Sequence, residues 1–183
     1  AASDVYKRQV LDTSCGSGGF LLHALDKVRK AVREFYEIKE SEKETQECHD
    51  QWHDFAKYNL YGIEINEQIS RTAKMNMIIH DDGHTNVVSA DGLISPDDLR
   101  LKTNNDGFKE NSFDYIITNP PFGSIVKQTE KAYLHQYKMG IKDVDWLNPN
   151  SKVSERPSQS TEVLFIEQAE KYLVEGGYLA IVC

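Results

Sequence analysis

The stretch Phe113-Asp114-Tyr115-Ile116-Ile117-Thr118-Asn119-Pro120-Pro121-Phe122 restricts the possible folds of this chain more than any other. An apolar run that stops at two prolines reads as a buried strand with an abrupt end, because proline cannot extend a hydrogen-bonded ladder. That strand delivers an amide side chain and an aromatic ring to its carboxyl end, and in an open α/β sheet the carboxyl ends are where ligands bind. Asn119 offers an amide oxygen, Pro120 a carbonyl on a residue with no N–H, and Phe122 an apolar face. Two acceptors and one ring suit a planar amine.

A second junction lies upstream in Val10-Leu11-Asp12-Thr13-Ser14-Cys15-Gly16-Ser17-Gly18-Gly19-Phe20. A short apolar strand ends in an acid, and small residues then turn the chain into a helix, so that a ligand can approach the backbone and the helix N-terminus closely. Dehydrogenases, kinases and purely structural turns share this pattern, so it gains meaning only from its neighbours. The glycines do not follow G-x-G-x-x-G and no Gly-Lys-Ser/Thr follows, which argues against the usual dinucleotide turn and the P-loop.

Between and beyond these junctions, strand and helix patterns alternate. Val10 to Asp12 reads as a first strand, and the helix after it carries Leu21, Leu22, Leu25, Val28, Val32 and Phe35 at three- and four-residue spacing. Glu37 to Asp50 reads as a solvated helix end or loop, behind which Trp52, Phe55 and Tyr58 resume an apolar face. Leu60 to Ile65 is a second strand. Gln68 to His80 is a helix with Ile69, Ala73, Met77 and Ile78 inward and Asp82-Gly83 at its end. Asn86 to Ala90 is a third strand, followed by a polar loop through Asn111 that turns at Asn104-Asn105-Asp106-Gly107. Phe113 to Thr118 is the fourth strand. Residues 123–160 form a long segment of weak periodicity, which predicts a functional or disordered loop. Thr161 to Glu175 is an amphipathic helix with Thr161 as its N-cap, and a tight turn and a fifth strand occupy Gly176 to Cys183. The alternation predicts an α/β fold with a doubly wound, mostly parallel sheet. Right-handed crossovers then put the carboxyl ends of strands one to four along one rim.

Along that rim the sequence supplies acids. Glu64 ends the second strand, where a carboxylate commonly accepts hydrogen bonds from ribose hydroxyls, and Asp91 ends the third, although Asp-Gly is also an ordinary turn. Two histidine pairs carry no metal assignment. His49 and His53 stand one helical turn apart without a third ligand, and His80 and His84 flank a helix end.

Charge bears on partners. With 21 Lys and Arg against 29 Asp and Glu the chain carries −8, the wrong sign for holding a polyanion unaided. Contact with any polyanion then falls to a local basic patch, such as the lysines of 123–160, or to another domain or subunit. No apolar run reaches membrane-spanning length. Three scattered cysteines, Cys15, Cys48 and Cys183, fit a reducing compartment and a cytoplasmic protein. At 183 residues the chain is about one domain. Residues 1–9 read as a non-native leader, and 10–183 as a core fragment cut at both ends with its sheet truncated on the C-terminal side.

Taken together, these residues resemble the S-adenosylmethionine-dependent N6-adenine DNA methyltransferases, most closely the methyltransferase (modification) subunit of type I restriction-modification systems. The resemblance runs from Val10 to the end. It rests on Asp12 to Phe20, Tyr61-Gly62-Ile63-Glu64-Ile65-Asn66, Ala73-Lys74-Met75-Asn76-Met77, Ala90-Asp91-Gly92 and Asn119-Pro120-Pro121-Phe122. Where the family usually has Pro-Ala, this chain has Thr13-Ser14. The resemblance implies a Rossmann-like methyltransferase core and S-adenosylmethionine as cofactor. Asp12, Cys15, Gly16, Gly18, Gly19, Phe20, Glu64 and Asp91 would contact the cofactor, with Asp12 facing its cationic groups and Asp91 its adenine amine. Asn119 and Pro120 would accept hydrogen bonds from the N6 amine of a flipped adenine, with Pro121 shaping the turn and Phe122 stacking on the base. It also implies DNA, a specificity subunit and a restriction subunit as partners. A methyltransferase for a protein glutamine or an RNA base, and a non-catalytic subunit-binding module of the same fold, remain alternatives at this point.

Overall fold

A computed structural model describes residues 6–80, 86–127, 132–142, 147–148, 150, 152 and 154–182. Five strands form one sheet: Val10–Asp12 (β1), Leu60–Glu64 (β2), Val87–Ser89 (β3), Phe113–Thr118 (β4) and Leu173–Ile181 (β5). Their order is β3-β2-β1-β4-β5 and all neighbours run parallel. Five helices flank them: Gly19–Phe35 (α1), Gln46–Asn59 (α2), Glu67–Ile79 (α3), Pro96–Thr103 (α4) and Thr161–Tyr172 (α5). The expected doubly wound α/β sheet is present.

Strand alternation sorts the core into two layers. Val10, Leu60 and Val87 face one side, where Leu21 and Leu25 of α1, Trp52 and Phe55 of α2, and Ala73 and Met77 of α3 cover them. Leu11, Tyr61, Val88 and Ile116 face the other, against Leu99 of α4 and Ala169 and Tyr172 of α5. Burial on both faces explains why the strands read as continuous apolar runs.

Several elements differ from the sequence reading. The loop expected after β3 contains α4, capped by Ser95, whose hydroxyl accepts from the Asp98 N–H, and opened by Pro96. Pro96 and Leu99 are its buried members, too few to show a helical period over eight residues. In α3 the inward stripe runs through Ser70, Ala73 and Met77, which leaves Ile69 and Ile78 exposed. Phe35 and Tyr58 are likewise exposed rather than inward. The helix expected to start later begins at Gln46, with Thr45 as N-cap. The cap of α5 is Ser160, and Thr161 is its first residue. The turn expected at Gly176 is a left-handed kink inside β5, where its register against β4 shifts. Asp82-Gly83 lies outside the described residues, as does His84.

Segment 123–160 is partly structured. Ile125–Lys127 pairs antiparallel with Ser158–Ser160, and Ile141–Lys142 with Ser154–Glu155. Two 3-10 turns lie at Ala132–Gln136 and Lys138–Gly140. Among the described residues no helix is long and apolar enough to cross a membrane. Ahead of β1, Gln9 joins the sheet: its carbonyl accepts from the Asp114 and Tyr115 N–H groups.

One polar cluster ties α1 to α2. Glu44 accepts from Arg29 Nε at 2.9 Å, Arg33 Nη1 at 2.8 Å and Trp52 Nε1 at 3.0 Å. Burial alone would raise this carboxyl, but the three donors outweigh burial and hold it at about 2. A depressed carboxyl stabilises the fold above its unfolded value of 4.5 and loses that contribution as pH falls toward 2. Glu44→Ala is therefore expected to cost about 1–3 kcal/mol in urea unfolding near neutral pH, with the gap to wild type closing as the solution is acidified toward the Glu44 value. A constant gap would show that charge plays no part.

Candidate functional site

The sheet order reverses at β1, with β2 and β3 on one side and β4 and β5 on the other. Chains leaving β1 and β4 there diverge and open a crevice at the carboxyl rim. A cavity of about 420 Å³ occupies it. Of the residues expected to act, Gly16, Glu64, Asp91, Asn119 and Pro121 line this cavity together. Four separate sequence segments thus meet at one place.

The turn after β1 follows from its small residues. Gly16 and Gly18 adopt left-handed φ values of 53° and 89°, which β-carbon-bearing residues resist, and Gly18 caps α1 in that conformation. Gly19 opens the helix. The Gly16 N–H donates to Glu64 Oε2 at 3.0 Å, and the Asn66 N–H to Glu64 Oε1 at 2.8 Å. The carboxylate is thereby held by the turns after both β1 and β2. Asp91 Oδ1 accepts from the Leu93 N–H at 3.0 Å, which fixes the turn after β3. Gly92 has no room for a side chain, since a Cβ would stand 2.4 Å from the Thr13 carbonyl oxygen. The turns after β1 and β3 can approach this closely only with glycine there.

Asp12 is not where the sequence suggested. Expected to face a ligand, it is 2% exposed and lies beneath the turn, with Oδ1 accepting from the Ser14 N–H at 3.0 Å. Burial pushes its carboxyl up to about 7, with the Ser14 and Thr118 hydrogen bonds opposing and the Glu64 charge assisting. Cys15 is also buried. Desolvation and the nearby carboxylates of Asp12 and Glu64 raise its thiol above the ordinary range, so it packs as an apolar residue with Leu21. Gly18, Gly19 and Phe20 belong to the helix start rather than the cavity wall, and Phe20 is 38% exposed.

At β4 the exposed Asn119 side chain stands at the mouth, Pro120 is buried, and Phe122 is 54% exposed beside the opening rather than on the lining. The far end of this turn is anchored by α5. Thr161 Oγ1 lies 2.9 Å from the Pro121 carbonyl oxygen and 3.1 Å from that of Ser124, and the Gly123 N–H donates to Glu162 Oε1 at 2.7 Å. The cavity also has walls that the sequence reading missed: Ile65 beside Glu64, Leu93 beside Asp91, and Phe165 of α5. Ile65 was visible only as the end of a strand, and Phe165 lies in the expected helix without having been singled out. Among the described residues no group of acids, histidines and cysteines could hold a metal ion.

Apolar side chains alternate with carboxylates along the cavity, and the buried Asp12 lies beneath the adjoining turn. Comparison with known proteins identifies the family. The profile of a family described as N-6 DNA Methylase matches residues 2–183. The type I restriction enzyme MpnII methylase subunit of Mycoplasma pneumoniae is 28% identical over 176 residues, which cover 95% of this chain and 26% of that protein. A modification subunit from Vibrio vulnificus superposes with a TM-score of 0.61 at 20% identity, over 99% of this chain and 33% of that one. The type I restriction enzyme EcoKI M protein superposes with a TM-score of 0.57 at 18% identity, over 97% and 30%. The chain therefore spans about a quarter of the length of the mycoplasma relative. The two superpositions establish a shared fold.

Burying Asp12 should weaken the fold at neutral pH. Its unfolded value is 3.8 and its folded value about 7, so the folded state is favoured by protonation, and stability is lost as pH rises through that window. Asp12→Asn is expected to gain on the order of a few kcal/mol over wild type in urea unfolding at about pH 8, with little gain at about pH 4. No gain at the higher pH would refute the desolvation argument.

Proposed function

The chain belongs to the N-6 DNA methylase family, and on that premise we propose that it is the catalytic core of a type I modification subunit. Its reaction would transfer a methyl group from S-adenosylmethionine to the N6 amine of adenine in DNA. The observation that carries this reading is the convergence of Gly16, Glu64, Asp91 and Asn119 on one cavity at the switch point of the sheet.

The cavity suits the cofactor by its own chemistry. Glu64, already oriented by two backbone N–H groups, keeps lone pairs for a pair of ribose hydroxyls. Ile65 and Leu93 offer apolar faces to a planar ring, and Asp91 stands beside them as an acceptor for its amine. The turn of Thr13, Ser14 and Gly16 borders the remaining space, with the Asp12 carboxyl buried under it and, at about 7, able to ionise beside a bound cation. When bound, S-adenosylmethionine supplies an electrophilic methyl group on a sulfonium.

Asn119 and Pro120 act on the other substrate. Their oxygens accept the two N6 hydrogens, which turns the nitrogen lone pair toward the methyl group and stabilises the charge that the nitrogen acquires. The proton then leaves to solvent. Phe122, exposed at the mouth, stacks on the extruded base. The net charge of −8 fits a catalytic subunit that leaves sequence recognition and most phosphate contacts to a specificity subunit, and a restriction subunit completes the complex.

Two substitutions in the intact protein separate binding from chemistry. Glu64→Ala is expected to weaken S-adenosylmethionine binding by about one to two decades in calorimetry, since a hydrogen bond to a charged group contributes roughly 1.5–3 kcal/mol. Asn119→Ala should abolish transfer to adenine-containing DNA in a radiolabel assay while cofactor affinity stays close to wild type. Full turnover by Asn119→Ala would sink the proposed mechanism.

A further inference from the structure

Thr118 is the last residue of β4 and directly precedes Asn119. Its side chain is completely buried, as is that of Thr13 apart from 1% of its surface. Thr13 Oγ1 donates to Thr118 Oγ1 at 3.0 Å, and Ser14 Oγ lies 2.8 Å from the same oxygen. Thr118 also lies near enough to the Asp12 carboxyl to oppose part of the upward push of burial. A hydroxyl has one proton and two lone pairs. Thr118 accepts from Thr13 and shares a second hydrogen bond with Ser14, so its oxygen is engaged by both residues that follow Asp12.

The position of this cluster gives it a task. The ladder between β1 and β4 pairs Val10 with Tyr115 and Leu11 with Ile116. Beyond that register the two chains part to form the crevice, one toward Gly16 and the other toward Asn119. The Thr13, Ser14 and Thr118 hydroxyls bridge the strand ends where they separate. Thr161 secures the Asn119 turn from its far side through Pro121 and Ser124, so Thr118 is the tie on the cofactor side.

We infer that Thr118 is a positioning residue whose hydroxyl, bonded to Thr13 and Ser14, sets Asn119 in register with the turn that borders the cofactor. This rests on the reading of the site as a methyltransferase centre. Reaction between two bound groups depends steeply on their separation, so a strand end free to drift would lower turnover even with both substrates bound.

Two substitutions in the intact protein with its partner subunits distinguish the hydroxyl from the space it fills. Thr118→Val keeps the shape and removes the oxygen; Thr118→Ser keeps the oxygen and removes a methyl group. Thr118→Val is expected to lower kcat about tenfold, the effect of one lost hydrogen bond, and Thr118→Ser to retain most of it. Ser14→Ala should lower kcat in the same direction and have little further effect in the Thr118→Val background, because coupled sites are not additive. A Thr118→Val enzyme as fast as wild type, a Thr118→Ser enzyme as slow as Thr118→Val, or additive effects of Ser14→Ala and Thr118→Val would each overturn the inference. The same cycle measured by urea unfolding decides the coupling without activity. If the wild type transferred no methyl group, the functional reading would fail, while a non-additive unfolding cycle would still uphold the hydroxyl tie and an additive one would still refute it.

Discussion

Everything in this molecule hangs on the double pairing of a three-residue strand. Val10–Asp12 is buried along its whole length and pairs in parallel with β2 on one edge and β4 on the other. The connections on its two sides lead away in opposite directions, which leaves a wedge at its carboxyl end. The cavity is therefore a consequence of strand order. What the sequence adds is the choice of residues at the four strand ends that meet there, together with the glycines that let the turns approach.

Those ends are stocked against stability. Asp12 is sealed under its own turn, Glu64 is 9% exposed, and Asp91 stands on the same rim. Burial and the Glu64 charge both push the Asp12 carboxyl up, and a protein selected for stability alone would not keep an acid there. The cost of these acids is reduced by backbone donors: Ser14 for Asp12, Gly16 and Asn66 for Glu64, Leu93 for Asp91. The same donors fix the turns. Carboxyl groups oriented by backbone donors at one rim suit the cationic ligand proposed for the site, so the cost of burying Asp12 and the proposed chemistry share one cause.

The strands and the outline of the site could be read from the residues because their signals are local. An apolar run ended by Pro-Pro, or an acid followed by glycines, carries its meaning within ten residues, and β1, β2, β4 and the convergence on the rim followed from such runs. Packing is not local. The inward stripe of α3 passes through Ser70 instead of Ile69 because the angle of the helix on the sheet decides which side chains reach it. Helix α4 escaped notice because eight residues with one buried leucine make no period. The placement of Asp12 under the turn, rather than toward the ligand, depends on which way its side chain points once Ser14 offers an N–H.

Segment 123–160 shows the same limit from the other side. It looked like a loop because its buried residues are few and far apart, yet Val126, Leu134 and Tyr137 pack with Leu93, Leu164 and Phe165 into a third cluster above the rim. The links that hold it are polar and long-range. Glu167 accepts from the Lys138 and Met139 N–H groups at 2.7 and 2.8 Å, the Tyr137 hydroxyl lies 2.6 Å from the Leu93 carbonyl oxygen, and Gln168 Nε2 donates to the Ile94 carbonyl at 2.8 Å. Leu93 and Phe165 are also cavity walls. The segment that follows Asn119 in sequence is therefore clamped by α5 onto the wall opposite Asn119, so that both sides of the crevice are braced by one helix. A helix that carries Thr161 at one end of the clamp and Glu167 and Gln168 along its length ties the Asn119 turn to the turn after Asp91, and movement of either is resisted by the other.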